Sequence, residues 1–445
     1  MTFHISLRQL AQIIEANLQA ASTSDLNQRV AGISTDTRHL CPQQVFLALR
    51  GERFDGHDFV EQAVEQGVLG VIVDCASPAD VAQLVVKDTL VAYQAIAHWW
   101  RQTLQTPLVA ITGSVGKTTT KELIAAALST DGPVLKTQAN YNNEIGVPKT
   151  LLELNESHRY GVIEMGMRAR GEITQLTQIA QPNIAVITNV GTAHIGRLGS
   201  EHAIAEAKCE LLAELPAHGI AVLNHDNARL MATAKQVWTG SQITFGLEGG
   251  DVKGRLMDNT HVEVNGVALP LPLPGKHNAV NFLAAIAVME ALGLDWHPLQ
   301  KGLSVDMPSG RSRRLTLSND IMILDETYNA GLESMIAALQ LLSDIPGKRH
   351  VAVLGTMKEL GEHSVKLHQQ VGEMVKTLKL DHLLTLADTD EAAALARGAT
   401  PVPVEAFDNH GALLERLQTL LQPGDRVLFK ASRAVALDQI VKQLK

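Results

Sequence analysis

The chain has 445 residues, 45% hydrophobic and 19% charged, and a net charge of −9 spread without long single-sign blocks. These values exclude a disordered chain and leave no basic patch for nucleic acid, while a domain size of roughly 100–200 residues divides the length into two to four cores. Cys41, Cys75 and Cys209 lie far apart in no metal-binding spacing and read as reduced thiols; with no apolar run from Met1 to Leu10 and no stretch near the roughly 18 apolar residues of a span, neither a secretion signal nor a membrane segment is expected.

In chain order, helical spacing over Leu7 to Leu18 and apolar runs at Gln44 to Leu49 and Gly70 to Val73 predict a small α/β domain over residues 1–90. Between them, Ser34-Thr35-Asp36-Thr37-Arg38 and Gly51-Glu52-Arg53-Phe54-Asp55-Gly56-His57 are dense in hydrogen-bonding groups. Taken alone, they read as surface loops with Asx-type turns.

A second domain, residues 91–308, begins with a helix over Val91 to Leu104. The short strand Leu108-Val109-Ala110-Ile111 follows, then Thr112-Gly113-Ser114-Val115-Gly116-Lys117-Thr118-Thr119-Thr120 and a helix to Leu128. Strand, glycine loop and helix in this order form a phosphate cradle. Backbone amides from Gly113 to Thr119 converge on phosphate oxygens, Lys117 reaches the β- and γ-phosphates, and the Thr118 hydroxyl is placed for Mg²⁺. The loop is a shortened one, because the position of the usual further glycine is Ile111.

Three later runs share that strand's layout: Val162-Ile163 ends in Glu164, Ile184 to Thr188 runs into Asn189 and His194, and Gly219 to Leu223 ends in Asn224. In a doubly wound parallel sheet, ligands gather at the carboxyl ends of the strands. Glu164 and His194, each unremarkable alone, therefore become candidate Mg²⁺ ligands beside the loop. Lys208, on a helix over Ser200 to Leu215, reads by itself as a solvated lysine. From Gln242 to Pro274 the pattern is β, with a hairpin at Asn265-Gly266, and suggests an antiparallel edge to this sheet. Gly275 then opens a helix that sets His277 and Asn281 on one face.

Near Met307-Pro308-Ser309-Gly310 a third domain begins, residues 309–445. Its strands at Ile321 to Leu324, His350 to Leu354, Leu383 to Leu386 and Arg426 to Phe429 predict a mostly parallel sheet. Asp325, Tyr328, Asn329, Lys358 and Lys430 to Arg433 would line a cleft facing the second domain. The expected fold is α/β in three domains: a central P-loop doubly wound sheet, a small N-terminal α/β domain and a C-terminal Rossmann-like one.

The phosphate loop, Asn140-Tyr141-Asn142-Asn143-Glu144-Ile145-Gly146-Val147-Pro148, Glu164-Met165-Gly166, Asn189-Val190-Gly191 with His194 and Lys208, Gly275 to Asn281, Asp325 with Tyr328-Asn329-Ala330, and Glu359-Leu360-Gly361 occur in that order. Together they resemble the Mur ligases, ATP-dependent amide-forming enzymes of peptidoglycan precursor synthesis, over nearly the whole chain. The asparagine run and Glu-Leu-Gly resemble the branch that joins D-alanyl-D-alanine to UDP-N-acetylmuramoyl-tripeptide.

This resemblance implies a cytoplasmic, monomeric enzyme using ATP and Mg²⁺, whose third domain closes over the second. It assigns catalysis to Lys117, Glu164, His194 and Lys208, and metal binding to Thr118, Glu164, His194 and Lys208, the last at a position carbamylated in several members. Ser114, Val115, Gly116 and Thr119 join Gly113, Lys117 and Thr118 on the phosphates; His277, Asn278, Asn281, Arg311 and Asp325 fall at adenine and ribose. Ser34, Thr35, Asp36, Arg38, Asp55, Gly56 and His57 would take the uridine nucleotide, and Asn140, Asn142, Asn143, Tyr328, Asn329, Lys430, Ser432 and Arg433 the peptide parts. The sequence departs from the family pattern at Val115, Gly331-Leu332 and Ala431. The third-residue ligase would bring an Asp-Asn-Pro-Arg string, absent here; folylpolyglutamate synthetase would lack the asparagine run; and a non-catalytic nucleotide-binding scaffold would not need the loop lysine and both metal ligands.

Overall fold

The computed structural model describes Phe3 and residues 5–19, 25–51 and 54–444; Glu52 and Arg53 of the second polar stretch lie outside them. The first sheet has order β1-β5-β4-β3-β2, from β1 (Asn17–Gln19), β2 (Gly32–Ser34), β3 (Gln44–Leu47), β4 (Gly70–Val73) and β5 (Ala82–Val85), parallel except for the β1/β5 pair. Its first helix, Leu7–Ile13, is opened by a capping box between Ser6 and Gln9. The expected continuation to Leu18 fails: Glu15 takes a left-handed φ of 51°, and Leu18 pairs with Leu84 of β5.

The central sheet comprises β6 (Leu108–Thr112), β7 (Val134–Lys136), β8 (Tyr160–Glu164), β9 (Ile184–Ile187), β10 (Ile220–Asn224), β11 (Gln242–Gly246), β12 (Val252–Asp258), β13 (His261–Val264) and β14 (Val267–Pro270). Their order is β14-β13-β12-β11-β10-β9-β6-β8-β7. From β6 the chain crosses to the rim strand β7, returns through β8, then passes to β9 and winds outwards on the other side. The loop after β6 therefore sits at a topological switch point, where such sheets bind ligands. The antiparallel edge expected from Gln242 onward starts later, because β11 runs parallel to both β10 and β12, and only β12, β13 and β14 alternate in direction.

Both faces of the inner strands are buried, as parallel sheets require. Leu108, Ala110, Ile163 and Ala185 pack under the helices Thr89–Thr103, Glu172–Ala180 and Glu201–Ala213. Val109, Ile111, Val162 and Val186 pack under Lys117–Leu128 and Lys276–Ala291. Strand alternation alone sorts these residues onto the two faces. The boundary expected at residue 90 falls inside Thr89–Thr103, a helix capped by Asp88, against whose Trp100 the ring of Phe3 packs edge-on at 4.7 Å.

The third sheet has order β15-β16-β20-β17-β18-β19, from β15 (Arg313–Thr316), β16 (Met322–Glu326), β17 (Arg349–Gly355), β18 (His382–Leu386), β19 (Val404–Ala406) and β20 (Asp425–Lys430); only β15 is antiparallel. Among the described residues no helix is long and apolar enough to cross a membrane.

Candidate active site

The loop leaving β6 is tied to the strand ends beside it. Asn189 grips the Val115 peptide from both sides, accepting from its N–H at 3.0 Å and donating to its carbonyl at 3.0 Å, while the Thr188 hydroxyl donates to the same carbonyl at 2.7 Å. Gly113 has φ 154°, and a β-carbon there would stand 1.9 Å from Thr188 Oγ1. Gly116 has φ 82° and ends 2.9 Å, at its would-be β-carbon, from Asn281 Oδ1. Only glycine satisfies both positions. Lys117, the first residue of the helix, folds its ammonium back onto the Gly113 carbonyl at 2.7 Å. Burial holds that ammonium below the ordinary lysine range, with Glu164 opposing the shift and Arg311 adding to it.

Glu164, at the end of β8, accepts from Thr118 Oγ1 at 2.8 Å and from Asn142 Nδ2 at 2.8 Å. Asn142 is held in turn by its carbonyl, which accepts from Gly166 N at 2.8 Å, and Asn143 Oδ1 caps the next helix, Gly146–Glu153, by accepting from Gly146 N at 2.9 Å. Gly146 is required because a β-carbon would lie 2.4 Å from the Tyr141 backbone. The asparagine run is thus a folded brace that presents Asn142 to Glu164.

His194 heads a short helix in a left-handed conformation, φ 66°. Its Nδ1 lies 2.6 Å from Glu359 Oε2, at an angle that leaves the nitrogen without a hydrogen bond. Burial, then repulsion by Lys117, lowers its pKa. Lys208, read alone as a solvated lysine, is 1% exposed, and burial followed by repulsion from Lys117 puts its ammonium well below the ordinary range. Adjacent oxygens of Thr118 and Glu164, with the His194 imidazole on the same cavity, are a donor set that suits a hard divalent ion, and the cationic surroundings suit phosphates beside it.

A cavity of about 670 Å³ joins these groups, within the roughly 300–1,000 Å³ of small-molecule sites. It brings together Ser114 to Thr119, Asn140, Asn142, Asn143, Glu164, His194, Lys208, His277, Asn278, Asn281, Arg311, Tyr328, Asn329 and Lys430. From the third sheet, Lys430 Nζ donates to the Asn329 carbonyl at 3.0 Å and stands 3.9 Å from Glu326, and the Arg311 guanidinium lies 3.9 Å over the Tyr328 ring. Burial pushes Lys430 down and Glu326 up. His277 is lowered to about 4 by burial, then by Lys430, so its imidazole is neutral at pH 7.

Other expected residues lie elsewhere. Asp325 points off the cavity and accepts from Thr327 Oγ1 at 2.6 Å, because alternation along β16 gives the cavity to Glu326. Ser432 accepts from Lys358 N at 2.9 Å, and Arg433 pairs with Asp438 at 3.5 Å; neither lines the cavity, and Lys358 pairs with Asp388. Ser34 ends β2 and Thr35, Asp36 and Arg38 follow it, while Asp55, Gly56 and His57 come after β3, along the carboxyl edge of the first sheet. Asp36 is held well below the usual carboxylate range by hydrogen bonds from Arg38, which lies within electrostatic reach of Tyr141 in the asparagine brace. Asp55 accepts from His57 Nδ1 at 2.6 Å, and Gly56 donates to Leu49 O at 2.8 Å. Asn189, Glu326, Arg168 and Glu172 line the cavity although they were not assigned to the site from sequence. For Asn189 a signal existed, since it ends the strand neighbouring the loop.

Family models described as Mur ligase middle domain, Mur ligase, glutamate ligase domain, and Mur ligase family, catalytic domain match residues 111–289, 310–433 and 29–103. The UDP-N-acetylmuramoyl-tripeptide–D-alanyl-D-alanine ligase of Synechocystis sp. is 54% identical over 449 aligned residues, covering 100% of this chain and 98% of the relative. That of Escherichia coli is 37% identical, covering 99% and 98%. Among solved structures, MurF from Acinetobacter baumannii superposes with a TM-score of 0.89 at 34% identity, covering 99% of this chain and 98% of that one. MurF ligase from Thermotoga maritima in complex with ADP gives 0.83 at 29%, covering 93% and 96%. With its three units matched in order and relatives aligned end to end, the chain belongs to the Mur ligase family.

Proposed function

We propose that this chain joins D-alanyl-D-alanine to UDP-N-acetylmuramoyl-tripeptide at the expense of ATP, the last peptide-adding step of peptidoglycan precursor synthesis in the cytoplasm. The observation that carries the reading is the convergence of Lys117, Lys430 and Arg311 on one cavity, beside the Thr118–Glu164 pair and the asparagine brace. Such a surface suits a polyphosphate and a carboxylate held together. The full-length likeness to ligases named for this reaction supports the choice of substrates.

The tripeptide carboxylate attacks the γ-phosphorus, ADP leaves, and the dipeptide amine then displaces phosphate from the acyl phosphate. Lys117 and the loop amides offset charge on the transferring group. Thr118, Glu164 and His194 would hold Mg²⁺, joined by Lys208 once its amine carries a carbamate, and the ion when bound would neutralise phosphate charge. Neutral His277 with Asn278, Asn281 and Arg311 frames the base and ribose. Residues 1–90 take the uridine nucleotide along the edge bearing Arg38 and His57, and hand the peptide past Asn140 and Asn142 towards Glu164. Tyr328, Asn329 and Lys430 approach from residues 309–445 and exclude water from the acyl phosphate, which hydrolyses readily.

The test is phosphate release from ATP with UDP-N-acetylmuramoyl-tripeptide, offering D-alanyl-D-alanine in one reaction and single amino acids in others, with Lys117→Ala as control. Turnover with the dipeptide alone, lost in the control, is expected. Turnover with a single amino acid would move the chain to another branch of the family, and no turnover with any acceptor would defeat the ligase reading.

A further inference from the structure

The segment from Asn189 to Gly196 is fastened at both ends of its length to different parts of the molecule. At its start, Asn189 holds the Val115 peptide, its carbonyl accepts from Ser114 N at 3.0 Å, and Gly191 N donates to Ser114 Oγ at 2.9 Å. These bonds belong to the phosphate loop. Further along, the partners come from the third domain. Glu333, in the first turn of the helix Leu332–Asp344, accepts from Thr192 N through Oε1 at 2.7 Å and from Thr192 Oγ1 through Oε2 at 3.2 Å. Gly196 N donates to the Glu359 carbonyl at 3.2 Å.

Glu333 approaches the segment closely where it has no side chain. A β-carbon on Gly191 would stand 2.4 Å from Glu333 Oε1, so with glycine there the carboxylate takes this position without shifting. Thr192 itself is 6% exposed, and a two-point grip on a buried residue fixes its backbone as well as its hydroxyl. Two residues on, His194 is held in its left-handed conformation by the turn in which Ile195 N donates to Thr192 O at 3.1 Å. Beside Glu333, Ser334 lines the cavity.

We propose that Glu333 is a positioning residue for nucleotide binding and turnover: by clamping Thr192 it sets the one segment that carries both Asn189, which shapes the phosphate loop, and His194. The third domain thereby reaches the phosphates without touching them. A carboxylate taking two hydrogen bonds from one residue is a charge-assisted contact, and its loss is worth roughly tenfold or more in an equilibrium. A helix-start role would be different in kind, since Glu333 also lies where a negative charge favours its own helix. That role stabilises the fold without tuning the phosphate loop.

The proposal needs the ligase reading only for turnover, so the deciding measurement is binding of ADP with Mg²⁺ to the intact chain by calorimetry, for the parent, Glu333→Ala, Glu333→Gln and Thr192→Val, with thermal midpoints alongside. Glu333→Ala is expected to weaken ADP by about tenfold or more. Glu333→Gln, whose carboxamide oxygen still accepts from Thr192 N, should recover most of that loss, and Thr192→Val, which leaves the helix-start carboxylate in place, should weaken ADP in the same direction. ADP affinity within about twofold of the parent in Glu333→Ala overturns the proposal. So does a Glu333→Gln variant as weak as Glu333→Ala with the same fall in midpoint, the pattern of a helix-start role. Absence of phosphate release by the parent would count against the ligase reading and leave this measurement intact.

Discussion

Thr118 gives its hydroxyl proton to Glu164 across 2.8 Å, joining the first turn after the phosphate loop to the end of the neighbouring strand. Asn142 occupies the other carboxylate oxygen as a donor. Glu164→Gln would therefore set an amide donor against a donor and remove the negative charge together. Mg²⁺-dependent ADP affinity should fall by roughly 10–100-fold, the range for disturbed metal surroundings, with the far-ultraviolet circular dichroism unchanged. Equal Mg²⁺ titrations for parent and variant would remove Glu164 from the metal site.

Lys208 is a buried amine within electrostatic reach of a half-buried one, Lys117. Both burial and repulsion favour the neutral form, which is the form that adds to carbon dioxide, releasing a proton and leaving an anionic carbamate. In ¹³C-bicarbonate the chain should show a carbamate resonance that Lys208→Arg lacks, and that variant should lose turnover by roughly 10²-fold or more. A spectrum without the resonance, in a fully active sample, would leave Lys208 as a plain lysine.

Acid should loosen the fold through histidines that are buried neutral. His277 is lowered to about 4 from an ordinary 6.5, and His194 and His368 are lowered by burial as well. The unfolded chain binds more protons than the folded one in this window, so stability rises with pH there and is lost as pH falls from about 6.5 towards 4. The His277 contribution is on the order of 3 kcal/mol. Thermal midpoints measured across that range should fall with pH, and His277→Gln should flatten the slope; an unchanged slope would show that His277 is protonated in the folded chain.

Lys430 and Glu326 form a buried pair 3.9 Å apart, each pushed towards neutrality by burial. Lys430→Met strands Glu326 and should cost about 3 kcal/mol in denaturant titration. Adding Glu326→Gln should restore most of that stability while turnover stays low, because the cation facing the cavity is still missing. Recovery of turnover in the double variant would make the pair purely structural.

Much of the site was legible because its signals are local. Gly113, Gly116 and Lys117 announce themselves by spacing, and the strand end at Glu164 follows once the sheet is recognised as parallel. What escaped depends on facts that spacing does not carry. Asp325 and Glu326 are neighbours on β16, and which of them meets the cavity is a question of strand phase relative to the second domain. Lys208 looked solvated because a lysine among Glu201, Glu206 and Glu210 has a polar neighbourhood in sequence, while in space its own side chain turns inward. The three-residue strands β1, β7 and β19 are too short to show a period, and exist because longer neighbours offer them an edge.

The two rims of the central sheet have a consequence for how copies of this chain meet. One rim is β7, three residues long, ending in Lys136, whose ammonium is paired with Glu122. The other is β14, four residues long, closed by Pro270, which has no amide proton to offer. A long flat rim with open amides would recruit a strand from a second molecule, and short rims finished by a charge or a proline do not. A nine-stranded, largely apolar sheet is thereby kept from growing sideways into an aggregate.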